Sequence, residues 1–65
     1  MVQGYTRQLK AILLEHGWTY VRPGKGDHEI WARADTAKAI VVDGKIMSRH
    51  TANAVLKQAG IKAKL

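Results

Sequence analysis

The sequence predicts an α+β domain of two layers in the order α-β-β-β-α, a three-stranded antiparallel sheet carrying both helices on one face. Three observations predict it. Apolar residues recur at helical spacing near both ends, the middle is rich in β-branched and aromatic residues that alternate, and each change of period is marked by glycine, proline or aspartate.

Tyr5, Leu9, Ile12, Leu13 and His16 fall on one face of a helix expected over about residues 7–16. Thr6 is placed to cap its start, where a side-chain oxygen satisfies amides that the first turn leaves orphaned. Gly17 is placed to close its end in the left-handed conformation. His16 lies in the last turn, where the helix dipole favours a cation, and a structural role outweighs a catalytic one there.

Trp18 to Arg22 is aromatic and β-branched, a short strand that Pro23 and Gly24 end. A second strand is expected from about Asp27 to Arg33, with His28, Ile30 and Ala32 on one face and Glu29, Trp31 and Arg33 on the other. Ile30 and Trp31 argue for opposite buried faces, so the pattern leaves the choice open; an exposed Trp31 could stack on a base, although packing at a sheet rim is the commoner fate. Asp35 and Thr36 form a turn, Lys38 to Val42 a third strand, and Asp43-Gly44 the turn that closes it. Ser48 then caps a second helix whose stripe is Ala52, Val55, Leu56 and Ala59. Gly60 ends that helix, Ile61 folds back on it, and residues 62–65 are expected to fray. The other face of the sheet stays open. The element order is that of double-stranded-RNA-binding domains, an analogy that by itself licenses no function.

With 65 residues the chain is expected to be one domain, 1–65, with a thin core that buries only about 60% of the extended surface. It has no cysteine, so neither disulfides nor a thiolate metal site can supplement that core. The longest apolar runs, Ala11 to Leu14 and Ala39 to Val42, are far short of a membrane span, and a cytoplasmic location is expected. Eleven Lys and Arg against five Asp and Glu give a net charge of +6, which favours a polyanionic partner, RNA or DNA first. The cations are dispersed along the chain rather than gathered in an arm.

The stretch Gly24-Lys25-Gly26-Asp27-His28-Glu29-Ile30-Trp31 organises the rest. Gly24 and Gly26 mark a tight turn that delivers His28 to the start of a strand beside a cation. Histidine alone changes charge near neutral pH without perturbation, which makes His28 the candidate acid or base.

With its elements placed, the chain resembles the HicA family, the small toxins of HicA/HicB toxin–antitoxin modules. The likeness covers nearly all of it: a first helix closing on Gly17 before Trp18, the glycine turn with His28 heading strand two, and Ala54-Val55-Leu56-Lys57-Gln58-Ala59-Gly60-Ile61 near the end. The family mark, Gly-Ser/Thr-His before alternating strand residues, stands here as Gly26-Asp27-His28-Glu29-Ile30-Trp31, with Asp27 in place of the hydroxyl. The resemblance implies a double-stranded-RNA-binding-like fold, a ribonuclease that degrades mRNA, His28 as its catalytic residue, and neutralisation by a HicB antitoxin.

Metal-independent RNA cleavage by attack of the ribose 2′-hydroxyl needs a base for its proton and cations for the charge gathering on phosphate oxygens. His28 can serve as the base. Lys25 and Arg22 are the nearest candidate RNA-binding cations, with Arg49 and His50 joining them if the second helix begins alongside. Asp27 is poorly placed to orient His28, because neighbours in a strand point to opposite faces. His16, His28 and His50 have no paired ligand spacing, so neither a metal nor any other cofactor is expected. The alternative function is a non-catalytic RNA-binding module on the same basic surface, and a third is an adaptor docking an acidic protein.

Overall fold

The computed structural model describes residues 4–65 and has the order α1 (Thr6–Glu15), β1 (Trp18–Pro23), β2 (Glu29–Arg33), β3 (Ala39–Val42) and α2 (Arg49–Gln58). The three strands form one antiparallel sheet in the order β1-β2-β3. Helix α1 packs on β1, α2 packs on β3, and the two helices pack on each other, so the predicted α+β architecture is the observed one. Leu9 and Leu13 from α1, Trp18, Trp31, Ile40 and Val42 from the sheet, Ile46 from the loop, and Ala52, Val55, Leu56, Ala59 and Ile61 make one core cluster.

The open question about β2 resolves in favour of Trp31, which is 4% exposed and turned toward the helices. Tyr20 lies opposite it on β1, edge to face at 6.5 Å between ring centroids. That geometry adds about 0.5–1.5 kcal/mol beyond burial. Ile30 therefore belongs to the outer face with Val41, its partner on β3. Trp31 is thus not available on the open face to stack on a base.

Three local expectations change. Thr6 is the first residue of α1 rather than its cap: its hydroxyl accepts from the Ile46 amide at 2.8 Å and donates to the Gly44 carbonyl at 3.5 Å. A tertiary partner takes the oxygen that a cap would have used. The strands of β1 and β2 fall out of step between Tyr20 and Arg22, so Val21 is the extra residue of a bulge and Arg22 pairs with Ile30. The segment after Ile61 does not fray, since the Leu65 amide donates to Asn53 Oδ1 at 2.8 Å and Leu65 packs against the core.

The helix ends follow expectation. Gly17 closes α1 with φ 88°, and the exposed His16 ring bonds through Nδ1 to the Ile12 carbonyl at 2.9 Å, a structural use of that histidine. Ser48 Oγ accepts from the His50 amide at 3.2 Å. Gly60 has φ 74°, its amide reaches the Lys57 carbonyl and the Ile61 amide the Leu56 carbonyl, a Schellman closure that folds Ile61 onto the core.

Candidate active site

The turn between β1 and β2 is closed by the chain itself. Pro23 pairs with Glu29, the Gly24 amide donates to the His28 carbonyl at 2.7 Å, and the His28 amide donates to the Lys25 carbonyl at 3.2 Å. Two glycines permit this for different reasons. Gly26 has φ 64°, a conformation that side chains disfavour, whereas a Cβ on Gly24 would stand 3.3 Å from both His28 Cβ and Ile30 Cδ1. His28 and Ile30 are thus on the same, outer side of the sheet.

Both ring nitrogens of His28 are engaged. Nδ1 lies 2.9 Å from the Lys25 carbonyl oxygen and Nε2 2.8 Å from Asp43 Oδ1. A carbonyl only accepts, so Nδ1 donates in that bond, while Nε2 meets Asp43 as an ion-pair contact that attracts when the ring is charged. The side chains are 47% and 43% exposed, which leaves the pair open to a molecule arriving from solvent.

Strand register explains Asp43. Every β2–β3 pair is centred on the turn between Asp35 and Thr36, from Ala32 opposite Ala39 to Glu29 opposite Val42. One step further along that ladder sets Asp43 opposite His28, with both side chains on the outer face. Gly44 lets the next turn approach, since a Cβ there would lie 2.6 Å from the Asp27 carbonyl oxygen. Asp27 makes this backbone contact, and the carboxylate that meets His28 belongs to Asp43. In the sequence Asp43 reads only as a turn residue. The signal that would have found it was the centre of the Asp35-Thr36 turn carried outward along both strands.

Of the sequence-derived cations, Lys25 sits in the turn that holds His28, and the bulge at Val21 brings Arg22 into register with Ile30, on the His28 side of the sheet. Arg49 and His50 open α2 instead. His50 lines a separate groove of about 400 Å³ with Asn53, Lys57, Ile61, Lys62 and Lys64. Among the described residues no cluster of three or more His, Cys, Asp or Glu side chains converges as a metal site would require.

The inner face holds the opposite kind of polar contact. Glu29 accepts from the Trp31 indole N–H at 2.9 Å and pairs with Lys10 of α1 at 3.1 Å. The indole bond first, and Lys10 after it, hold the Glu29 carboxyl below its usual range.

A family model described as the HicA toxin of bacterial toxin-antitoxin matches residues 6–61, which takes in both helices, the sheet and the His28 turn. No curated protein and no solved structure matches the chain. A match over most of the length, with every element present in the expected order, means that the chain belongs to the HicA toxin family, whose members are the toxins of bacterial toxin–antitoxin pairs.

Proposed function

We propose that this toxin is a metal-independent endoribonuclease that cleaves mRNA, with His28 as the proton-transferring catalytic residue. The observation that carries the reading is the half-exposed His28 ring, hydrogen-bonded to its own turn and ion-paired with Asp43, beside a cationic turn. Nδ1 is anchored to the backbone of its own turn, which leaves Nε2 as the nitrogen that works on substrate. Lys25 and Arg22 supply positive charge on the same side of the sheet, where a phosphodiester gathers negative charge as its 2′-oxygen attacks phosphorus. Family membership adds an antitoxin partner. A HicB-like protein with acidic groups covering the Gly24–His28 turn would inhibit by occupying the anion site.

No helix among the described residues is long and apolar enough to cross a membrane, and a cytoplasmic site of action with mRNA within reach fits the reading. The runner-up, a non-catalytic RNA-binding module, draws on the groove of His50, Lys57, Lys62 and Lys64, whose cations suit a phosphate backbone. A binding module has no use for a paired histidine and carboxylate elsewhere on the surface, so the catalytic reading stands first.

The test is cleavage of a single-stranded RNA in the presence of a chelator, with the ends analysed. Wild type should leave 2′,3′-cyclic phosphates. His28→Ala, shown to be folded, should lose about 10²–10⁴-fold in rate, whereas His50→Ala should change binding by a modest factor. Cleavage by His28→Ala within a few-fold of wild type removes the catalytic assignment and makes the RNA-binding module the better reading.

A further inference from the structure

We propose that Asp43 is a second catalytic residue: its carboxylate takes the proton of the ribose 2′-hydroxyl, while His28 gives the Nε2 proton to the departing 5′-oxygen. The inference rests on the ribonuclease reading and divides its acid and base between two side chains. It starts from the pairing of the two side chains on the open face. Nδ1 donates to the Lys25 carbonyl at 2.9 Å, which leaves Nε2 as the nitrogen that faces solvent, and Asp43 Oδ1 stands 2.8 Å from it. In such an ion pair the imidazole is the side that gives a proton and the carboxylate the side that takes one, so the pair holds an acid and a base within reach of one phosphodiester.

Asp43 is the nearest candidate. It touches the ring, it is 43% exposed, and its Oδ2 has no hydrogen-bond partner among the described residues. Glu29 turns its carboxylate to the inner face, and Asp27 turns its backbone toward Gly44 and makes no hydrogen bond to the ring. Asp43 and His28 come from neighbouring positions of β3 and β2 on one face, so one phosphodiester laid over that end of the sheet meets both, with Lys25 beside it.

The step closes on itself. The O–H bond of the 2′-hydroxyl breaks and its proton goes to Asp43; the 2′-oxygen forms a bond to phosphorus. The bond from phosphorus to the 5′-oxygen breaks, and that oxygen takes the Nε2 proton. The products are a 2′,3′-cyclic phosphate and a 5′-hydroxyl, and the site is left with a protonated Asp43 and a neutral His28. One proton crossing the 2.8 Å contact from Oδ1 to Nε2 restores the starting pair. No co-reactant is consumed.

The experiment uses two RNAs of one sequence, one ordinary and one with sulfur replacing the 5′-bridging oxygen at the cleaved linkage. A thiolate leaves without a proton, so the second substrate needs a base but no acid. His28→Ala should lose about 10²–10⁴-fold on ordinary RNA and cleave the sulfur substrate within about tenfold of wild type. Asp43→Asn should lose about 10²–10⁴-fold on both. Asn keeps the size and an acceptor for Nε2–H, and folding of each variant is checked by its backbone spectrum; Asp43→Ser carries the same expectation should Asn not fold. Asp43→Asn cleaving ordinary RNA within a few-fold of wild type would overturn the proposal, and so would a His28→Ala variant that the sulfur substrate fails to rescue. Wild type inert on both RNAs would instead overturn the ribonuclease reading, and the division of labour with it.

Discussion

Replacing Gly44 with alanine tests the link between the fold and the candidate site at one atom. A Cβ at this position would lie 2.6 Å from the Asp27 carbonyl oxygen and 3.1 Å from Asp27 Cβ. An ordinary carbon–oxygen contact is about 3.3 Å, so the two backbones must part by roughly 0.7 Å. The obstacle is main chain on both sides, which cannot swing aside as a flexible side chain would. Gly44 is not among the glycines with positive φ, so the cost comes from space and not from backbone conformation. Overpacking of this kind costs about 1–3 kcal/mol. In a domain of this size that corresponds to a fall in Tm of at least about 4 °C. The same displacement acts on Asp43, the preceding residue. Its 2.8 Å contact with His28 would open toward about 3.5 Å, which weakens the ion pair. Thermal unfolding and single-turnover cleavage of one RNA, corrected for the folded fraction, read the two effects separately. A Tm within about 1 °C of wild type would refute the steric reasoning. Lost stability with unchanged cleavage per folded molecule would refute the coupling of this turn to His28.

Acid should weaken the fold partly through Glu29, whose carboxyl lies below its usual range because the Trp31 N–H and then Lys10 hold the charged form. A carboxylate depressed in the folded state adds stability above its unfolded value, near 4.3, and loses it as pH falls through the folded value. Urea midpoints of Glu29→Gln should therefore drop less than those of wild type between pH 6 and 3, and parallel curves would count against the clamp; Asp35, held low by Arg33, contributes equally to both proteins. RNA affinity should fall steeply with salt, each neutralised phosphate adding about 0.7 to the logarithmic slope on single strands. Lys25→Ala should reduce that slope by about 0.7 in a salt titration, and an unchanged slope would remove Lys25 from the phosphate contacts.

The parts of this chain legible in its sequence are those set by nearby residues. Ser48, Gly60 and Ile61 act through hydrogen bonds within a few positions, so the N-cap and the C-terminal closure of α2 could be read directly. His28 was legible for the same reason, because the turn that holds it is made of the five residues Gly24 to His28. What escaped reading depends on partners far along the chain. Thr6 looked like a cap until Ile46, forty positions away, claimed its hydroxyl. The bulge at Val21 is defined only against β2, and the orientation of Trp31 only against the helices. Asp43 falls between these cases. Its partnership follows from the strand register, which the Asp35-Thr36 turn already contained, but composition alone marked it as a turn aspartate.

The inner and outer faces of β2 are one mechanical fact. Side chains alternate along a strand, so a slip of one residue would carry His28 to the helix side and Glu29 to solvent. Apolar residues lie on both faces, Ile30 outward and Trp31 inward, so the alternation of polarity alone does not name the buried face. The ion pair with the helix layer favours the observed face. The indole bond joins two residues of one face and would survive a slip, but Lys10 on α1 could not reach Glu29 if Glu29 pointed outward. Glu29 is the residue next to His28. The ion pair that ties the helix layer to the sheet thereby also fixes the direction in which the imidazole leaves the turn, and with it the meeting of His28 and Asp43 on the open face. A part-buried Lys–Glu pair adds little stability by itself. Its larger effect here is on register, where Glu29, held by a lysine of α1, decides which face of the strand the proposed chemistry occupies.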